Sequence, residues 1–116
     1  MLEQKNPLVL AFVGDAVHSL YVRASISNAD AKIAALHKMA SAQICAKAQS
    51  RRYEKVQHSF NDTEREIAGR ARNCAHNTVP KNCDLADYHR ATALEAVIGY
   101  NYLCGNLKRV EDLIEC

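Results

Sequence analysis

The sequence lacks the patterns that mark a protein for a membrane or for export. No apolar run approaches the roughly 20 residues that a membrane-spanning helix needs, and the longest, residues 7–13, leads directly into Gly14 and Asp15. No basic segment followed by an apolar stretch and a small-residue cleavage site indicates a secretory signal. We therefore expect a cytoplasmic protein that has no membrane partner.

Neither the charge nor the cysteines define a function by themselves. The 116 residues carry a formal net charge of +2, which is too small to identify a nucleic-acid partner. Five cysteines include no C-x-x-C pair, and this odd number argues against a disulfide scaffold and favours a reducing compartment. A zinc site at Cys74, His76 and Cys83 is disfavoured because its spacing matches no standard site.

What the sequence does contain is helical periodicity along one domain-sized chain. Its length predicts a single domain that spans residues 1–116, and no alternating strand pattern or internal repeat is present. We therefore predict an all-α fold of about six helices, with an irregular segment at 73–83. The predicted helices are 7–25 after an Asn-Pro start, a short one around 33–39, one capped by Ser41, one opened by a capping box at 63–66, one over 84–104, and 107–114.

The faces of these helices differ. The first helix is apolar around most of its circumference, so it is buried on several sides or packs against a partner subunit. The helix after residue 41 has a cationic face, formed by Lys47, Arg51, Arg52 and Lys55, which is either a solvated surface or a weak candidate for RNA contact. The long helix from residue 84 is expected to turn six residues inward: Leu85, Tyr88, Leu94, Val97, Ile98 and Tyr102.

Two acidic residues occupy positions that are hard to explain by structure alone. Asp15 lies inside the first helix, although Asp is a poor residue there, and Glu95 lies in the most apolar part of the long helix. Either acid alone would more simply be solvated or salt-bridged. Since buried carboxylates are paired or bind metal, the two together predict a site for a hard divalent cation such as Mg²⁺. Such an ion can activate water against a phosphodiester.

Two glycines strengthen this interpretation. Gly14 and Gly99 each lie close to one of the acids inside a predicted helix, where glycine costs about 1 kcal/mol relative to alanine. A close helix crossing explains both positions, and it would bring the acid-bearing helices together. Spacing does not determine whether the two carboxylates face each other.

These residues carry a family resemblance. Residues 10–17, with Gly14-Asp15-Ala16-Val17, resemble the signature helix of the ribonuclease III catalytic domain, and residues 93–100, around Glu95, resemble the second acidic motif of that family. Four further segments are similar to the Mini-ribonuclease III branch in particular: residues 36–40, 46–49, 69–73 and 81–84. The resemblance covers nearly the whole chain, in order.

The resemblance implies an all-helical ribonuclease III endonuclease fold that forms a homodimer and has no separate double-stranded RNA-binding domain. It implies cleavage of double-stranded RNA with Mg²⁺, or with Mn²⁺ in its place, and maturation of precursor large-subunit ribosomal RNA. Asp15 and Glu95 would be the catalytic acids and the metal ligands, with Glu95 the more direct ligand. The paired first helices would form the dimer interface, through Phe12, Val13 and Val17.

The chain also departs from the larger relatives. Full-length ribonuclease III has two further acids, at the positions where this chain has Ala11 and Thr92. The Mini branch lacks them as well, so the departure places the chain in that branch. We expect one Mg²⁺ held largely through water. Asp84 and Asp87, at or near a helix start, are interpreted as caps rather than ligands.

Contacts with an RNA duplex need basic and polar groups that reach phosphates and 2′-hydroxyls, because the A-form duplex is read mainly by shape. The predicted contacts lie in and before the irregular segment, where a solvated charged loop is the alternative. They are Arg70, Arg72, Asn73, His76 and Lys81.

Three classes of function remain open. The first is a metal-dependent endonuclease on double-stranded RNA, and the second is a non-catalytic RNA-binding or ribosome-associated protein with the same fold. Retention of Asp15 and Glu95 argues against the second, since a pure binding protein has little reason to hold two acids near a polyanion. The third is a helical dimerisation protein, against which the paired acids and the basic segment argue.

Overall fold

A computed structural model of the chain describes residues 1–74 and 83–115. Over these residues the chain contains six α-helices, two short 3₁₀ helices and no strand, which confirms the predicted all-α class. The α-helices are α1 (Pro7–Ile26), α2 (Ile33–Ile44), α3 (Ala46–Val56), α4 (Asp62–Cys74), α5 (Leu85–Leu103) and α6 (Leu107–Glu115). The 3₁₀ helices are Leu2–Gln4 and Gln57–Ser59.

Three helix boundaries follow the predicted capping residues. The side chain of Asn6 accepts a hydrogen bond from the backbone N–H of Leu8 at 2.9 Å, and Pro7 is the first residue of α1. Asp84 caps α5, since its Oδ1 accepts from the backbone N–H of Asp87 at 3.1 Å. Gly105 follows α5 with φ +80°, a conformation that favours glycine.

Two predicted helix starts are wrong. α2 continues through Ser41, whose carbonyl accepts from the N–H of Cys45 at 3.0 Å, and α3 begins only after that residue. The capping box of α4 is formed by Asn61 and Glu64 rather than by residues 63–66. The N–H of Asn61 donates to Glu64 Oε1 at 3.0 Å, and the N–H of Glu64 donates to Asn61 Oδ1 at 2.8 Å. Asn61 therefore takes the place predicted for Thr63.

The central element is α5, which packs against α1, α3, α4 and α6. Leu94, Val97 and Ile98, in its middle, are fully buried, as predicted. Leu85 and Tyr102 are exposed, so their predicted inward orientation is wrong. Both lie in the end turns of α5, outside the stretch from residue 91 to residue 99 that its neighbours cover.

The helices α1 and α5 cross at their glycines with backbone against backbone. A Cβ atom on Gly14 would lie 1.7 Å from the carbonyl oxygen of Glu95, and one on Gly99 would lie 2.0 Å from the carbonyl oxygen of Leu10. No side chain fits at either position, which confirms the predicted close crossing. The crossing fixes the position of Asp15 relative to Glu95.

The opposite face of α1 is apolar and exposed. By length and composition, α1 is also the one described helix that could cross a membrane, a property that the count of consecutive apolar residues had not revealed. Packing against α5 accounts for the apolar character of one face. It leaves the exposed apolar face, Leu8, Val9, Phe12 and Leu20, without a cover among the described residues.

Candidate active site

The crossing of α1 and α5 brings the two predicted acids together. Asp15 follows Gly14 on α1, and the backbone of Glu95 is the part of α5 that Gly14 approaches most closely. The carboxyl groups of Asp15 and Glu95 lie within hydrogen-bond reach of each other. Asp15 is exposed, whereas Glu95 is partly buried beneath it. The structure thus pairs two acids that are 80 residues apart in the sequence.

Gln49, on α3, holds Glu95 from the inner side. Its Nε2 donates to Glu95 Oε2 at 3.2 Å and to the carbonyl oxygen of Ile44 at 2.7 Å. Burial and, after it, the charge of Asp15 raise the pKa of Glu95 to about 8, although the hydrogen bond from the Gln49 amide acts in the opposite direction. Glu95 is therefore largely protonated at neutral pH when no cation is bound to the pair.

His18 lies one turn after Asp15 on α1 and is 4% exposed. Burial lowers the pKa of His18, and the charge of Arg52 adds to this effect, while the neighbouring Gln49 and Asp15 oppose it. Within residues 1–74 and 83–115, His18 Nδ1 and Gln49 Oε1 have no hydrogen-bond partner. A neutral, polar and incompletely satisfied layer thus lies beneath the acid pair.

Neither His18 nor Gln49 was assigned a role from the sequence, although a signal was present. Gln49 lies four and seven residues before the buried Tyr53 and Val56, and His18 lies four residues before the buried Val22. Both polar residues therefore occupy the apolar stripe of their helix. A polar residue on such a stripe needs a partner in the interior.

A cleft opens beside Asp15 between α1 and the C-terminal part of α2. Its volume is about 440 Å³, and Ser19, Arg23 and Ser41 are among the residues that line it. Arg23 Nε donates to Ser19 Oγ at 3.0 Å. Asp15 is therefore open to solvent through a cleft that carries one cationic side chain, which suits a phosphodiester substrate.

The donors at this site fit a hard divalent cation with few protein ligands. Among the residues that the structure describes, no group of three or more His, Cys, Asp or Glu side chains is placed to hold a metal. Ala11 is buried, and the hydroxyl of Thr92 donates to the carbonyl of Tyr88 at 2.9 Å. Two carboxylates, one of them exposed, leave the remaining ligand positions to water, as Mg²⁺ prefers.

The predicted RNA contacts divide into three groups. Arg70 serves the fold, because its guanidinium donates to the carbonyls of Glu3 at 2.7 Å and Lys5 at 3.3 Å and so ties the N-terminal segment to α4. Arg72, over the ring of Tyr53, and Asn73 line a surface cavity of about 420 Å³ together with His89. His76 and Lys81 lie outside the described residues. His76 is also one of the three residues of the disfavoured zinc site.

The predicted dimer residues also require a correction. Phe12 is 79% exposed and Val13 is partly buried, so both retain surface for a partner. Val17 is only 5% exposed and belongs to the core, because it shares the side of α1 that carries Leu10 and Gly14. The face available to a partner is the exposed apolar face defined above.

Comparisons with known proteins agree with this fold. The ribonuclease III domain matches residues 8–106. The Mini-ribonuclease 3 proteins of Thermoanaerobacter sp. and Clostridium tetani are 39% and 40% identical, over 95% and 98% of this chain and 78% and 77% of their own lengths. A crystal structure of a protein from Fusobacterium nucleatum has a TM-score of 0.90 at 34% identity, covering 96% of this chain and 89% of that one.

The chain belongs to the ribonuclease III family, within its Mini-ribonuclease 3 branch. The resemblance drawn from residues 10–17 and 93–100 is therefore confirmed, and so is the prediction that the chain is an endoribonuclease. The substrate class of this family is double-stranded RNA.

Proposed function

We propose that this endoribonuclease cuts double-stranded RNA at Asp15 and Glu95, which hold one divalent cation, Mg²⁺ or in its place Mn²⁺. The observation that supports this most directly is the convergence of the two carboxyl groups where the backbones of α1 and α5 touch. Because the pKa of Glu95 is raised to about 8, the free pair does not hold two negative charges at neutral pH. A cation is the ligand that would stabilise the doubly charged form.

Each residue has a distinct part in the proposed chemistry. A bound Mg²⁺ supplies activation of a water for attack on the phosphodiester and stabilisation of the charge that develops there. Gln49 orients Glu95 through the 3.2 Å hydrogen bond, and Glu95 in its ionised form would hold the cation. Asp15, exposed at the cleft, orients the attacking water or completes the metal shell.

We further propose that the protein works as a homodimer on precursor large-subunit ribosomal RNA in the cytoplasm. The exposed apolar face of α1 supports the dimer, since such a patch marks an interaction surface. The family resemblance supports two active sites, one for each strand, and the ribosomal substrate. The four described cysteines are free thiols, which agrees with a reducing compartment.

The test is cleavage of an end-labelled RNA duplex by wild type, Asp15→Asn and Glu95→Gln in the presence of Mg²⁺. Wild type should cleave, and each variant should lose at least about a hundredfold in rate, the usual loss when one charge-stabilising group is removed. Glu111→Gln, an equivalent acid-to-amide change on the exposed surface of α6, is the control and should cleave like wild type. Undiminished cleavage by both site variants would show that the assignment is wrong.

Thermal unfolding with Mg²⁺ tests the metal separately from catalysis. At ten times its dissociation constant, Mg²⁺ should stabilise wild type by about 1.4 kcal/mol and should stabilise the Asp15→Asn/Glu95→Gln double variant much less. RNA binding without cleavage by wild type under every metal condition would favour the non-catalytic RNA-binding alternative.

A further inference from the structure

A second cavity lies where α1, α2, α3 and α6 meet. Its volume is about 220 Å³. Three of its lining side chains are cationic, Arg51, Arg52 and Lys55 of α3, and His18 forms part of its wall. No carboxylate is found among the described residues that line it. The cavity therefore carries a cluster of cationic side chains, and its wall includes the residue one helical turn after Asp15.

Two of these cationic side chains, Arg51 and Lys55, have no carboxylate partner among the described residues. Glu54 lies between them in sequence, but its Oε1 is 3.5 Å from Arg90 on α5. The carboxylates of Glu111 and Glu115 on α6 do not line the cavity. Two exposed cations on adjacent turns thus remain available for an anion.

The inner wall of the cavity is held in place. Arg52 Nε donates to the carbonyl oxygen of Leu113 at 2.7 Å, which fixes its guanidinium at the junction of α3 and α6. His18 is buried, and its Nδ1 lacks a hydrogen-bond partner among the residues described. A fixed guanidinium and a buried polar atom distinguish this cavity from a solvated charged face, which was the alternative that the sequence left open.

We propose that this cavity binds one backbone phosphate of the RNA substrate, close to the bond that Asp15 and Glu95 act on. The proposal rests on the proposed function, because it takes duplex RNA as the ligand. The size of the cavity supports a phosphate group over a whole nucleotide, since ligand sites usually have about 300–1,000 Å³. The described lining residues also include no Phe, Tyr or Trp on which a base could stack.

The position of the cavity explains how the catalytic domain itself could orient its substrate. His18 lies three residues after Asp15, on the next turn of α1, and lines the cavity together with Arg51 and Arg52. A phosphate on the Arg51 side would position the strand for the acid pair through one rigid helix. Arg51 and Lys55 are thus proposed to be substrate-positioning residues.

The test compares duplex-RNA binding by Glu95→Gln protein with and without the added pair Arg51→Ala/Lys55→Ala, in metal-free buffer over a series of salt concentrations. The two alanine substitutions should raise Kd about tenfold. They should also lower the slope of log Kd against log salt by about one, as expected for the loss of one phosphate contact. Lys108→Ala, which removes one exposed charge next to Asp112 on α6, is the control and should change Kd less than twofold.

Two further measurements, of cleavage kinetics and of phosphate binding, distinguish the possible outcomes. The Arg51→Ala/Lys55→Ala protein with Glu95 intact should show a higher KM and an unchanged kcat with Mg²⁺. If wild type cleaves and the Arg51→Ala/Lys55→Ala variant binds RNA like the Lys108→Ala control, the cavity proposal is wrong while the proposed function stands. If wild type neither binds nor cleaves duplex RNA, both fail. Tight binding of inorganic phosphate, with RNA affinity unaffected by the pair, would assign the cavity to a free anion and overturn the RNA assignment.

Discussion

Two acids with little exposure to solvent, Glu64 of α4 and Glu95 of α5, are surrounded by the fold in opposite ways. Glu64 of α4 is 1% exposed and accepts hydrogen bonds from the N–H of Asn61, from Asn101 Nδ2 at 2.8 Å and from the guanidinium of Arg109 at 2.9 and 3.0 Å. Burial alone would raise the pKa of Glu64, but these hydrogen bonds hold it below its usual value. This charged carboxylate joins α4, α5 and α6.

Glu95 has one amide donor and a second carboxylate as its neighbours. Burial and the charge of Asp15 therefore raise the pKa of Glu95 to about 8, whereas the pKa of Glu64 is lowered. The comparison teaches that burial of a carboxylate does not by itself indicate function. A carboxylate whose partners are all supplied by the fold is structural, whereas one left short of donors next to another acid marks a place for a cation.

The substitution with the largest expected effect separates Asp15 from Glu95 and leaves the contacts of Glu64 intact. Gly14→Ala would place a Cβ atom 1.7 Å from the carbonyl oxygen of Glu95, so α1 and α5 would have to separate. We expect a loss of more than about 3 kcal/mol in the free energy of unfolding, the upper end of the range for overpacked sites, together with loss of cleavage. Chemical denaturation measures the first effect.

Gly69→Ala is the matched control, because a Cβ atom there meets nothing within 4 Å. In the interior of α4 this change should stabilise the protein by up to about 1 kcal/mol, since alanine is the better helix residue. Equal stability of Gly14→Ala and wild type would show that the helix crossing does not hold the acids together.

A second pair of variants sharpens the comparison directly, since the same substitution should have opposite consequences at the two acids. Glu64→Gln should lower the free energy of unfolding by about 2–3 kcal/mol, because charge-assisted hydrogen bonds to Arg109 and Asn61 are weakened. Glu95→Gln should leave metal-free stability unchanged or higher. Denaturant unfolding at pH 8 measures both, and destabilisation of equal size would contradict the distinction.

The smallest effect is a pH dependence of metal-free stability that Glu95 alone should produce between pH 6.5 and 8. The pKa of Glu95 is about 8 in the folded state and 4.5 for an ordinary unfolded Glu, so in this window the folded state binds more protons and stability falls as the pH rises. The loss is at most about 2 kcal/mol over the window, from about 1.4 kcal/mol per pH unit.

Below pH 6.5, His18 opposes this trend, because a lowered folded pKa makes stability rise with pH up to the unfolded value of 6.5. The window above 6.5 therefore isolates Glu95. Glu95→Gln should flatten the dependence of Tm on pH there, and saturating Mg²⁺ should flatten it in wild type. An unchanged slope in the variant would assign the titration to another group.

Much of the fold could be predicted because it depends on local signals. The Asn6-Pro7 start of α1, the Asp84 cap of α5 and the Gly105 end of α5 are all set by backbone groups within a few residues of the capping position. The Ser41 prediction failed for a related reason. A serine favours a helix start only where the chain leaves the helix, and α2 is continuous at that point.

The structure brings the two predicted acids together, but the sequence did not predict their surroundings. Asp15 and Glu95 could be found because an acid in an apolar helix conflicts with its own neighbours. Gln49 could not be assigned to Glu95, since the contact joins residues 46 positions apart. Arg70 shows the same limit, because its guanidinium bonds to the N-terminal segment 65 and 67 residues away.

The sequence by itself determined the all-helical class, the two glycines that permit a close crossing, the acids close to them and the family. Only the tertiary structure decided that Asp15 and Glu95 face each other, that Gln49 holds Glu95, and that Val17 is buried while Phe12 is exposed. The physical reason is that the period of a helix defines its faces. Which neighbour covers a face, and which donors a carboxylate finds there, depends on the packing of helices that are distant in the chain.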